Sequence, residues 1–199
     1  MRRSEFNVED KEQIEKILFE CEYGTLSLIS EGKPYGVAVN FVWHKNKIFI
    51  HGAKEGRKVQ AIAHNSKASF LVVKAYSLIP SYFSHALVAC PATQFFASVH
   101  FEGTIKQMHT PEAKVIVLNK LMEKLQSEGG YETIDANSPM YTKMVENTAV
   151  FELTPSVISC KIKAGQNLSR EKREEIAQQL MQRESNNDKE TAALMQIQS

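Results

Sequence analysis

Hydrophobic and polar positions alternate through much of the first half of the chain. In Tyr35-Gly36-Val37-Ala38-Val39-Asn40-Phe41-Val42-Trp43 the odd positions are large, while Gly36, Ala38 and Asn40 are small or polar. Side chains leave a strand on alternate faces, so this run predicts a strand with one bulky face and one with room. Asn40 falls on the roomy face, where a flat ligand would lie; a bulge or a satisfied edge position explains it equally well. Thr25 to Ser30, with Leu26 and Leu28 alternating, predicts the strand before it, joined by the turn residues Glu31-Gly32-Lys33-Pro34. His44-Lys45-Asn46-Lys47 predicts a hairpin loop into a third strand, Lys47 to His51. Ala68 to Val73 is a buried-strand run. Phe95 to Ile105 sorts Phe96, Ser98, His100 and Glu102 to one side, and Phe95, Ala97, Val99 and Phe101 to the other, with a bend at Gly103. Ala149 to Thr154 and Ser156 to Lys163 predict a closing strand pair split at Pro155.

Helical periods are fewer. Ile14, Ile17, Leu18 and Cys21 recur at one-face spacing after Asn7-Val8-Glu9-Asp10, which reads as a capped helix start ending at Gly24. Thr110-Pro111-Glu112 opens a helix whose apolar positions are Val115, Leu118, Leu121, Met122 and Leu125, stopped at Gly129-Gly130. Ser138-Pro139 opens a shorter one through Met140 and Met144. Ser169 starts a polar helix with Ile176 and Leu180 on a weak apolar face, and the tail beyond Arg183 reads as fraying. Lys74 to Gln94 has no clean period and reads as an ordered loop or lid. Short antiparallel connections with late helices favour a β-barrel with flanking helices over a doubly wound sheet.

Composition adds bounds. The 199 residues carry 24 basic and 23 acidic side chains, a balance that gives no reason to expect nucleic acid or an anionic membrane as partner. Cys21, Cys90 and Cys160 are scattered and odd in number, with no metal-ligand spacing, so no metal site is expected and free thiols in a reducing, cytoplasmic setting are. The apolar stretch from Ala86 to Phe101 is broken by Pro91, Thr93, Gln94 and His100 and is not a membrane span.

Candidate chemistry concentrates in His51-Gly52-Ala53-Lys54-Glu55-Gly56-Arg57-Lys58. A strand feeds a small-residue turn and then a helical pattern through Val59, Ile62 and Ala63. Gly52 permits a tight turn and close approach of a ligand to the main chain. The unpaired N–H groups at a helix start favour an anion. Lys54, Arg57 and Lys58 share one face if all are helical, a set that suits a phosphate monoester; a solvated cationic face explains the same spacing.

With these residues assembled, the chain resembles the pyridoxamine-phosphate-oxidase-like, split-barrel FMN-binding family, and within it the Nim-type (5-nitroimidazole resistance) branch. The residues that carry the resemblance are Met1-Arg2-Arg3, Cys21-Glu22-Tyr23-Gly24 with Leu26-Ser27-Leu28, Pro34-Tyr35 with Val39-Asn40-Phe41, Ile48-Phe49-Ile50-His51-Gly52-Ala53, Gly56-Arg57-Lys58, and Ser98-Val99 before Gly103. The resemblance implies a mainly β fold with flanking helices, a six-stranded antiparallel split barrel over residues 1–165, with residues 166–199 as a polar C-terminal helix and tail. It implies a homodimer with FMN in clefts at the interface. Val39 and Asn40 would then lie beside the flavin ring, and His51, Gly52 and Ala53 would border the ring and ribityl chain. Lys54, Arg57 and Lys58 would take the phosphate, Arg57 foremost because its planar fork matches phosphate bidentately. Ser98 would reach the phosphate or ribityl chain. His51 matches a histidine common in the Nim branch and is the candidate catalytic residue; a structural hydrogen bond at the strand end is the competing role. The arginine- and tryptophan-rich segment of true pyridoxamine phosphate oxidases is not apparent, which argues against vitamin B6 oxidation.

The expected function is an FMN-dependent oxidoreductase that reduces a small molecule such as a nitro-compound. A flavin-carrying sensor or regulator acting through the C-terminal helix is the first rival. Haem binding or degradation is the second, and no histidine follows His109 to serve as a C-terminal ligand.

Overall fold

The structure, a computed structural model, describes residues 3–197, the side chain of residue 197 excepted. Among the described residues there are seven strands: β1 (Asn7–Val8), β2 (Tyr23–Ser30), β3 (Lys33–His44), β4 (Lys47–Ala53), β5 (Lys67–Ile79), β6 (Thr93–Met108) and β7 (Thr148–Lys163). The helices are α1 (Lys11–Glu20), α2 (Arg57–His64), α3 (Pro111–Leu125), α4 (Thr142–Asn147), α5 (Arg170–Arg183) and α6 (Asp188–Ile197). The strand order is β1-β7-β4-β3-β2-β5-β6, and a further β7–β6 pairing joins the ends. β2 to β7 therefore form a closed ring of antiparallel neighbours with β1 as an addition to β7, the split-barrel arrangement the sequence implied.

The chain divides into two compact units. One holds Lys11–Val72 and Val99–Ile158, the other Met1–Asp10, Val73–Ser98 and Ser159–Ser199. In the first, β2 and β3 meet through the two-residue loop Glu31-Gly32, both at positive φ, and β3 and β4 through Lys45-Asn46, also both positive. Such mirror-image turns match the twist of paired strands and fix the register. That register places Leu26, Leu28, Phe41, Ile48, Ile50, Phe151 and Leu153 inside, all at most 3% exposed. On the outward side α3 covers Val42, Phe49 and Val150 with Val117 and Leu121. Asn40 and His51 follow on that outward side and are exposed, each one residue past the Phe41↔Ile50 pair.

In the second unit α5 and α6 pack beside the second half of β5. Ser77 Oγ donates to Asp188 Oδ1 at 2.6 Å, Thr191 Oγ1 to Ser77 Oγ at 2.9 Å, and Arg183 Nε to Asp188 Oδ2 at 2.8 Å. The expectation of a frayed tail past Arg183 is thus overturned: Asp188 and Thr191, both fully covered, tie α6 down.

Other expectations shift for local reasons. The first helix begins at Lys11, because Asn7 and Val8 pair with Lys161 and Cys160 as a strand. Gly24 lies in β2 and does not end α1. β5 runs on to Ile79, so half of the expected loop is strand, with Ser81–Phe83 a single 3-10 turn. β7 is continuous through Pro155; its pairing with β4 stops at Leu153, so the missing proline N–H breaks no bond there. In α3 Leu121 is buried and Leu118 packs beside it as the pattern predicts, but Lys114 and Val117 are buried where Val115 was expected. The fourth helix starts at Thr142, after the Ser138-Pro139 turn. No helix among the described residues is long and apolar enough to cross a membrane.

Candidate functional site

The β4–α2 corner is built differently from a turn at Gly52. β4 keeps its pairing with β7 through Gly52↔Ala149 and Ala53↔Thr148, so Gly52 is a strand residue. The turn falls at Lys54-Glu55-Gly56, and Gly56 takes φ 111°, ψ 179° immediately before the helix. Only glycine adopts that conformation without strain. Gly52 has a different use: a Cβ there would sit 2.6 Å from Lys58 Nζ, so its bare backbone is the space the lysine amine occupies.

Only Arg57 and Lys58 belong to α2, so the expectation of three cations on one helical face does not hold. Lys54 is exposed in the turn, and its charge adds to burial in lowering the pKa of Lys114, whose amine donates to Val145 O and to Glu146 O and so closes the end of α4. Lys58 folds back over β4: its Nζ lies 3.5 Å from His51 O and 5.6 Å from the centre of the Phe151 ring. The long contact is a weak hydrogen bond. Burial lowers the Lys58 pKa. Arg57 turns to the β2–β3 hairpin, where Nε donates to Ser30 Oγ at 3.0 Å and the guanidinium carbon stands 4.3 Å from the centre of the Tyr35 ring. Among the described residues no acceptor engages its two terminal nitrogens.

The first turn of α2 breaks two rules of helix construction. It has no acidic residue and no side-chain cap, and it carries two cations. Cations at a helix start oppose the helix dipole, and such local violations gather where function outweighs stability.

His51 is exposed, and its pKa is lowered first by desolvation against the sheet and second by the charge of Lys58. Asn40 is exposed too; its Nδ2 donates to Glu22 O at 3.1 Å. The outward row Gly36, Ala38 and Asn40 is open as the alternation predicted, and Val39 is half-buried on the other face. Beyond Gly36, that face widens into a hollow of about 620 Å³ bordered by Ser27, Ser69, Lys67 and His100. Ser98 is half-buried between buried Ala97 and Val99, the alternation expected of β6, and belongs to the other compact unit.

Ser30 and Tyr35 are the residues that sequence reasoning missed. Ser30 is 27 positions from Arg57, and no periodicity links a hairpin to a helix start that far along the chain. The usable signal was parity: Tyr35 shares the inward face with Val37 and Val39, the side α2 would cover.

A family model described as pyridoxamine 5'-phosphate oxidase matches residues 10–162, and the chain belongs to that family. No curated protein matches it in sequence. Several solved structures share its fold. A Bacteroides thetaiotaomicron protein proposed as a 5-nitroimidazole antibiotic resistance protein is 19% identical, with TM-score 0.64 over 78% of this chain and 86% of that one. The flavocytochrome Anf3 of Azotobacter vinelandii is 22% identical, with TM-score 0.65 over 80% and 70%. The FAD and heme binding protein of Mycobacterium smegmatis is 16% identical, with TM-score 0.63 over 80% and 74%. At such identities the likeness is one of fold.

Proposed function

We propose that this chain binds FMN at the β4–α2 corner and, as a homodimer, reduces a small molecule of the nitro-compound class. The observation that carries the reading is the corner itself: an arginine with both terminal nitrogens unengaged among the described residues, beside a lysine with one 3.5 Å hydrogen bond and one ring contact, at a helix start whose first turn has no acid. The residues fit a phosphate monoester, since Arg57 offers a two-pronged donor and Lys58 a point charge in the space Gly52 leaves. The small outward row of Gly36, Ala38 and Asn40 fits a flat ring, with Asn40 and His51 as polar groups at its edge. Bound flavin would supply the hydride or electron chemistry. The protein's part is to grip the phosphate, present a neutral imidazole beside Lys58, and exclude water. The branch of the family is supported by the resemblance of the first 105 residues and by the fold of the Bacteroides thetaiotaomicron protein.

Dimerisation is supported by apolar side chains left open on the outward strand faces. Tyr23 is 65% exposed, Ile29 41% and Leu71 38%. A second copy covering them would complete a cleft over the ring.

Titrating the purified protein with FMN should quench flavin fluorescence to a stoichiometric end point. Anaerobic reduction followed by a nitroarene should then reoxidise bound flavin faster than free flavin. Absence of binding overturns the whole reading. Binding with reoxidation no faster than in free solution overturns its enzymatic half.

A further inference from the structure

We propose that Ser30 and Tyr35 are positioning residues that set Arg57 for the flavin phosphate and so make the site select FMN over riboflavin; this rests on the FMN reading above. Three observations converge. Ser30 is 6% exposed and fixes Nε of Arg57 at 3.0 Å. Tyr35 stacks on the guanidinium at 4.3 Å, which fixes the plane of the fork. The two terminal nitrogens, the pair that meets a phosphate end-on, stay without an acceptor among the described residues.

Stability does not account for the arrangement. An exposed arginine at the first position of a helix works against the dipole, and one hydrogen bond with one half-buried ring contact returns little. Recognition does account for it. A free arginine side chain loses its rotamer freedom when it clamps an anion, and one already held has less to lose. The hairpin makes this possible. Its two-residue loop, Glu31-Gly32, locks the register, pairing Ser30 with Lys33 and Leu28 with Tyr35, so hydroxyl and ring reach Arg57 from the same inner face. Riboflavin, which lacks the phosphate, draws nothing from this clamp.

The test measures dissociation constants for FMN and for riboflavin by flavin fluorescence, on the full-length protein and on Ser30→Ala, Tyr35→Phe, Tyr35→Leu, Arg57→Ala and the Tyr35→Leu/Arg57→Ala double variant. Melting curves establish that each is folded, and Tyr35→Met replaces Tyr35→Leu if the latter is not. Ser30→Ala and Tyr35→Leu should weaken FMN about three- to tenfold, the cost of ordering one long side chain, and leave riboflavin unchanged. Tyr35→Phe should keep wild-type affinity, because the ring and not the hydroxyl holds the guanidinium. In the Arg57→Ala background, Tyr35→Leu should change nothing further. The proposal is overturned if both flavins weaken alike, or if Tyr35→Leu costs as much without Arg57 as with it. A wild-type protein that binds FMN but no more tightly than riboflavin overturns this inference alone. One that binds no FMN overturns the functional reading and this inference with it.

Discussion

Two cations at the first turn of α2 stand where a helix normally places acids, and Arg57 and Lys58 settle that conflict in different ways. Arg57 lies against a hydroxyl and a ring, while Lys58 retreats over bare backbone at Gly52. The Lys58 charge is the second cause of the lowered His51 pKa, after burial. Lys58→Met should therefore raise the His51 titration midpoint, followed by imidazole NMR, towards but not to the ordinary 6.5, because burial remains. An unmoved midpoint would mean that the lysine charge does not reach the ring. Since the folded value is the lowered one, protonating His51 opposes folding: the cost is absent above the ordinary value and grows as pH falls below it. At this scale the order of residues along the chain already brings Lys58 to His51 and Gly52, while Arg57 turns to the hairpin and Lys54 stays in the turn. Strand and helix starts are local, so their residues meet wherever the chain goes. That order could not name Ser30 and Tyr35, which reach Arg57 only through the fold.

Among the elements, α6 departs most from what the pattern suggested. Half of its residues are apolar, and Ala192 and Met195 are buried, yet the tie that fixes its start is a carboxylate. Hydrogen bonds from Arg183 hold Asp188 at a pKa of about 2 against the opposing effect of burial, with Ser77 and the Ser185 N–H adding to the hold. A depressed folded pKa stabilises above the ordinary value of 3.8 and is lost as pH falls towards about 2. At neutral pH the shift is worth roughly 2 kcal/mol, for a side chain only 1% exposed. Hydrogen exchange should show α6 opening between about pH 4 and pH 2 before the sheet does. Asp188→Asn should cost roughly 2–3 kcal/mol by thermal melting and speed exchange in α6 at neutral pH. A polar anchor of this kind leaves no trace in hydrophobic periodicity, and the apolar signal of α6 is short, confined to Ala192-Ala193-Leu194-Met195 and Ile197. β7 escaped as one strand for a related reason: Pro155 reads as a break, and only the end of the β4 pairing at Leu153 shows why it is tolerated.

For the whole molecule, closure of the sheet depends on how nearly β6 and β7 approach. A Cβ on Gly103 would stand 2.1 Å from Thr154 O and 2.9 Å from Pro155 Cα, so the bend read from the sequence is the place where two backbones touch. Gly103→Ala should lower stability by about 2 kcal/mol or more, seen as a lower melting temperature, with flavin binding weakened only as far as the fold is. The strands from β2 to β6 and their antiparallel order were legible because alternation and two-residue turns are short-range signals. The order in which strand ends join is not, since it depends on contacts such as this one. The most direct measurement of the central claim is a crystal structure of the protein grown with saturating FMN. Density for the phosphate should lie within hydrogen-bond reach of the Arg57 fork and Lys58 Nζ. FMN with its phosphate elsewhere, or a corner empty at saturation, would contradict it.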